Sequence, residues 1–268
     1  VSPQFLFSNL ALACFASSSI LYLISFQFKK SESILSKIAI SLFTVATLLL
    51  VGSLSLNYVD FSLLAVSGTI LALSISLLSI IVHFYLGTKT IGAFIAPLVI
   101  LILLLQSFAS QPLSQMTLSG SPAIFVYFHI VLAILGESFA VCACGVALIY
   151  LWQQRTLKKK LLNQLSSRIP ALDRLESALM FCLWTGFIFI TLGLISGAIY
   201  SQMYGNDSGL GLKILWAIVV WGWYLAILIL KTLFKYPTKR IAQMALAGFV
   251  LLAATFFGIV LVQGPGDL

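Results

Sequence analysis

Two histidines and one mid-helix carboxylate are the side chains of this sequence best suited to chemistry, because almost nothing polar surrounds them. His129 lies in a long apolar run, residues 122–152, about two helical turns from its start. A neutral imidazole there can serve as an axial ligand for heme iron or another metal. It can equally be a histidine hydrogen-bonded to a neighbouring helix, and the residues alone leave both readings open. Glu137 follows eight residues later, which on a helix is about 12 Å deeper. A carboxylate at that depth is costly and faces a bundle interior or a wet cavity. It is either a protonated group bonded to a neighbour or a proton or ligand site. No basic residue is an obvious partner at its depth. His83 falls near the end of the third apolar run, within reach of headgroups or water, and reads as structural.

Aromatic residues form a second group. Trp184, Trp216, Trp221 and Trp223 lie in the sixth and seventh apolar runs. An interfacial tryptophan belt accounts for Trp216, whereas Trp221 and Trp223 fall deeper, where they could line a cavity for a flat apolar ligand. Gly193 and Gly197 make a small-xxx-small pattern of the kind that lets two helices approach closely. The cysteines Cys14, Cys142, Cys144 and Cys182 all sit in apolar stretches, without zinc or CxxC spacing. They read as small membrane-helix residues. No hydrolase triad, phosphate-binding loop or metalloprotease motif occurs, so a soluble-type active site is not expected and the chain does not read as an enzyme.

The elements that must position these residues are membrane helices. Of 268 residues 61% are apolar and only 8% charged, against about a quarter charged in average soluble domains. Eight stretches are long enough to cross about 30 Å of hydrocarbon: residues 5–27, 34–57, 62–86, 89–108, 122–152, 177–203, 210–233 and 240–263. The expected fold is therefore all-α, a polytopic transmembrane bundle of about eight helices forming a single membrane domain over residues 1–268. The N-terminus begins at Val1 and lacks the basic n-region of a signal peptide.

Charge placement orients the bundle. Lys29, Lys30, Lys37, Lys89, Arg155, Lys158, Lys159, Lys160, Arg168, Arg174, Lys231, Lys235, Lys239 and Arg240 all flank odd-to-even connections. That is 14 of the 15 basic residues, with Lys213 alone on the opposite side. The positive-inside rule puts those connections in the cytoplasm and both termini outside. A seven-span reading would scatter the same charges over both faces. The net charge of +8 is thus a topology signal, and nucleic acid is not an expected partner. The 155–176 segment carries leucines at near-helical spacing and reads as a short interfacial helix, broken at Pro170, on anionic headgroups.

Several segments, in order, resemble the cytochrome c assembly family of membrane proteins, which includes the CcsA, CcmC and HemX types. Residues 87–97 (GTKTIGAFIAP) resemble its glycine-rich helix. Residues 128–136 (FHIVLAILG) and 147–160 (ALIYLWQQRTLKKK) are similar to its histidine-bearing helix and the exit from it. Residues 172–176, 191–199, 246–250 and 255–258 resemble its later helices. The resemblance covers roughly residues 85–260.

It implies a heme-handling role in cytochrome c biogenesis or heme supply, in a bacterial inner membrane. A heme site would then lie on the outer side, with His129 as iron ligand and the 201–210 loop beside it. The expected partners are the lipid bilayer, heme, and a membrane or periplasmic protein. Where the family reads approximately WGxYWxWDPKExWxLIxW, residues 204–221 read YGNDSGLGLKILWAIVVW. Lys213, Trp216 and Trp221 fall on the lysine and last two tryptophans of that pattern; its leading tryptophans, acidic residues and proline are missing. The family's further histidines would fall near Ile229 and Asp267. The alternative is a non-catalytic structural or regulatory subunit that keeps the scaffold to dock a partner. A transporter using Glu137 is a third reading, weakened by the lack of an inverted repeat or a pair of broken helices.

Overall fold

The computed structural model describes residues 3–27, 32–55, 63–86, 91–109, 121–158, 171–204 and 210–263. Those residues form eight α-helices: α1 (Pro3–Gln27), α2 (Glu32–Ser55), α3 (Leu63–Leu86), α4 (Ile91–Ala109), α5 (Ser121–Lys158), α6 (Leu172–Tyr204), α7 (Leu210–Thr232) and α8 (Thr238–Gln263). Each coincides with one of the eight expected stretches. The main differences are that α5 runs six residues further and α6 begins five residues earlier. Both extensions are polar, and neither Gly nor Pro interrupts them. Apolar content alone therefore marked the apolar part of these helices and missed their ends.

Proline placement follows backbone physics. Pro3 and Pro122 occupy first turns, where a missing N–H costs nothing. Pro97 sits inside α4, where it removes one backbone hydrogen bond.

Among the described residues, six helices are long and apolar enough to cross a membrane, by length and composition: those holding Leu6–Ser25, Ile34–Ser55, Ser67–Leu86, Phe128–Lys158, Leu172–Gln202 and Ile214–Thr232. α4 contributes a shorter apolar segment, Gly92–Leu104. The side-chain pattern of α6 shows what surrounds it. Phe181, Trp184, Ile188, Leu192, Ile195 and Ile199 are exposed, at helical spacings of three and four residues. Such a stripe would be untenable in water, and it is the face a helix turns to lipid. The protein is an integral membrane protein.

The chain divides into two compact units. The first comprises Val1–Gln115 and Trp152–Leu175. Within it, α1 and α2 pack closely: Phe15 meets Phe43 edge-on at 5.1 Å, and Ser18 Oγ donates to the Ala39 carbonyl at 2.7 Å. Tyr22 of α1 lies over Gly92 of α4, so tightly that a methyl on Gly92 would come within 2.4 Å of its ring. Phe94 of α4 lies 6.2 Å from Trp152. His83 is in the last turn of α3, edge-on to Phe84.

The second unit comprises Met116–Leu151 and Glu176–Leu268. Residues 138–147 of α5 are buried without a break. Cys142, Cys144 and Cys182 are buried there as free thiols, filling the role of small core residues. The expected interfacial helix near Pro170 lies largely outside the described residues.

Candidate functional site

The α5–α6 contact determines what His129 can do. The two helices meet along a seam of small residues, Gly186, Gly193 and Gly197 on α6 and Ala133 and Gly136 on α5. A methyl on Gly186 would stand 3.0 Å from Phe139 Cβ, and one on Gly136 would stand 2.7 Å from Ile190 Cγ1. One on Gly193 would lie 3.4 Å from the Ala133 nitrogen. At the end of the seam the ring of His129 fills the notch left by Gly197; a methyl there would come within 2.7 Å of its Cε1. This is the close approach that small-xxx-small spacing permits, with an imidazole occupying its last position.

Hydrogen bonding then sets the tautomer. His129 Nδ1 donates to the Gly193 carbonyl at 2.8 Å, with Ser196 Oγ at 3.4 Å. Ser196 Oγ itself donates to that same carbonyl at 2.9 Å. A carbonyl can only accept, so Nδ1 carries the proton, and in the neutral ring the lone pair lies on Nε2. This is the arrangement by which a backbone carbonyl orients a metal-binding histidine. That donor chemistry fits heme iron, which His129 Nε2 would hold. Among the described residues no group of three or more His, Cys, Asp or Glu is placed to hold a metal ion, so His129 would act without a cluster.

The tryptophans attach elsewhere. Trp221 Nε1 donates to Thr191 Oγ1 at 3.0 Å, and its indole stacks on Phe187 at 5.8 Å. Thr191 and Phe187 form a stripe about 120° round α6 from the glycine seam, counting 100° per residue. Trp221 thus docks on a different side of α6 from His129. Trp223 Nε1 donates to the Met244 carbonyl of α8 at 3.0 Å, and its ring covers Gly248. Trp216, near the start of its span, is 41% exposed, as a belt residue is, and Trp184 is 43% exposed within the outward stripe of α6.

Glu137 is partly buried, directly after the seam glycine Gly136. Lys213 lies in the first turn of α7, and its side chain is outside the described residues, as are residues 205–209 of the 201–210 loop. Ile229, which stands where the resemblance puts a further histidine, is 37% exposed.

Three participants were missed in the sequence. Ser196 and the Gly193 carbonyl orient His129, and Thr191 holds Trp221. Gly193 and Gly197 read only as a helix contact; the clue was a serine between them, about two turns from the nearer end of α6.

Residues 4–265 match the family model described as cytochrome C assembly protein. A protein described as cytochrome c biogenesis protein CcsA from Prochlorococcus marinus (strain MIT 9303) is 30% identical over 95 residues, 35% of this chain and 30% of that protein. CcsA of Oenothera argillicola is 30% identical over 92 residues, 34% of this chain and 28% of its own length. The CcsA of Fagopyrum esculentum subsp. ancestrale is 29% identical over the same length. The chain matches less than a third of the length of these curated relatives. No solved structure matches.

Proposed function

The chain belongs to the cytochrome c assembly protein family, and we propose that it is a heme-handling membrane protein acting in cytochrome c biogenesis or heme supply. One observation carries the reading: His129 is held by the Gly193 carbonyl with Nδ1 as donor, leaving Nε2 to bind iron. Heme bound there would supply redox or carrier chemistry of its own. The chain's part is to orient the imidazole, through Gly193, Ser196 and Gly197. We place the protein in a bacterial cytoplasmic membrane as one integral domain crossing eight times. The charge asymmetry of its connections supports an orientation with both termini, His129 and the 201–210 loop on the outer side.

The test is an absorption spectrum of detergent-purified protein, as isolated and after added hemin. A Soret band that is lost in His129→Ala is the expected result. Absence of any band in the wild-type protein overturns the reading.

A second reading, a structural or regulatory subunit that docks a partner, is favoured by the tryptophans. Trp221 and Trp223 are both spent on interhelical hydrogen bonds, which serve packing rather than a ligand. Co-purification of a stoichiometric partner with a colourless protein would select it.

A further inference from the structure

The turn between α7 and α8 carries an arrangement that neither helix packing nor the His129 site uses. The stretch of α7 long and apolar enough to cross a membrane, Ile214–Thr232, ends at Thr232. The next two residues, Leu233 and Phe234, are 74% and 66% exposed. Lys235 follows in a left-handed conformation, φ 50°, a region that favours glycine over any residue with a Cβ. That conformation lets the Tyr236 N–H reach back to the Leu230 carbonyl at 3.0 Å and close the helix. A strained backbone position held by a cation, where glycine would close the helix without strain, points to a use for the side chain.

The charges around it are also unspent. Lys235, Lys239 and Arg240 are all exposed. Lys231 is the exception, paired with Glu176. Arg240 lies over the Tyr236 ring at 5.5 Å, which orients the guanidinium without neutralising it. Lys239 and Arg240 occupy the first turn of α8, which holds no acidic residue. Cations at that end oppose the helix dipole, so an anion is needed there to make the arrangement favourable. Two large apolar side chains beside three cations that have no ion pair among the described residues, at the end of a span-length apolar helix, match the layering of a phospholipid leaflet. Acyl chains and glycerol would meet Leu233 and Phe234, and phosphates would meet the cations.

We propose that the α7–α8 turn is a binding surface for acidic phospholipid headgroups, with Leu233 and Phe234 inserted below the phosphates that Lys235, Lys239 and Arg240 contact. An acidic soluble protein would satisfy the charges but would leave both apolar side chains in water.

Native mass spectrometry of the full-length protein, equilibrated with an equimolar mixture of phosphatidylglycerol and phosphatidylcholine, tests this. The wild type should retain phosphatidylglycerol preferentially. The combined variant Lys235→Gln, Lys239→Gln, Arg240→Gln should lose about tenfold of that preference. The variant Lys37→Gln, which removes an exposed charge from the start of α2, should keep it within about twofold. A charge-preserving variant, Lys235→Arg with Lys239→Arg, should behave as wild type, which separates loss of charge from misfolding. Equal preference in the wild type and the neutral variant overturns the proposal. So does an equal loss in Lys37→Gln, which would make net charge alone the cause. Binding of polyglutamate through the turn, with lipid preference unchanged, overturns it in favour of an acidic protein partner.

Discussion

The imidazole of His129 and the bare Cα of Gly197 fit as ring and notch, with room for no further atom between them: a Cβ on residue 197 would stand 2.7 Å from His129 Cε1 and 2.9 Å from Nδ1. The contact is made on the nitrogen that donates to Gly193. Gly197→Ala must therefore push the ring off its carbonyl partner. We expect it to cost about 1–3 kcal/mol as an overpacked site and to weaken any hemin Soret band as His129→Ala does. Gly193→Ala is the control. Its methyl meets Ala133 at an ordinary 3.4 Å, so its thermal midpoint and spectrum should stay close to wild type. Equal behaviour of the two variants would refute the notch.

Trp221 and Thr191 form a separate test, because their hydrogen bond lies on another side of α6. Trp221→Phe keeps the stack on Phe187 and deletes the donor. Thr191→Val deletes the acceptor and leaves an indole N–H unpaired. Each should cost about 0.5–1.5 kcal/mol, within the range for single hydrogen bonds. The double variant should cost clearly less than the sum, as paired groups do. If Trp221 instead lines a heme site, Trp221→Phe will shift the Soret band more than it lowers the melting temperature. Denaturation and spectra on the same samples distinguish the two roles.

How much of this could be read from the sequence differs by element. The eight helices were legible because each must supply its own apolar length, and Lys or Arg flanks mark their ends. The site was legible only at His129, where a polar ring in an apolar run stands out. Its partners were not. Gly193 contributes a backbone carbonyl, which no residue type advertises, and Ser196 looks like any small helix residue. The depth of Trp221 suggested a cavity, but its partner Thr191 is 30 residues away, and only packing brings them together. The same holds for Glu176 and Lys231, 55 residues apart.

That ion pair gives a third prediction. Lys231 Nζ donates to Glu176 Oε1 and, at 2.9 Å, to Thr238 Oγ1, tying the near ends of α6, α7 and α8. The two charged side chains are 20% and 35% exposed, so water screens them and the pair is worth about 0.5–1 kcal/mol. Lys231→Met should lower stability by about that amount, and Glu176→Gln by less, since the amide oxygen still accepts. Raising the salt concentration should shrink both differences. A salt-independent loss above about 2 kcal/mol would mean that Lys231 is tied to more than this pair.

Lys235 sets stability against binding. Its left-handed φ of 50° carries a penalty of about 1 kcal/mol for a residue with a Cβ, which glycine avoids. Lys235→Gly should therefore stabilise the protein in neutral detergent by roughly that much, less the small entropy cost of a more flexible unfolded chain. In acidic lipid the same substitution removes one of three cations at the α7–α8 turn, and part of the gain should disappear. The measurement is a pair of melting curves, in neutral micelles and in micelles doped with phosphatidylglycerol. A stabilisation of the same size in both would leave the lysine without a role in lipid contact. A destabilisation in neutral detergent would show that its side chain, rather than its backbone, holds the end of α7.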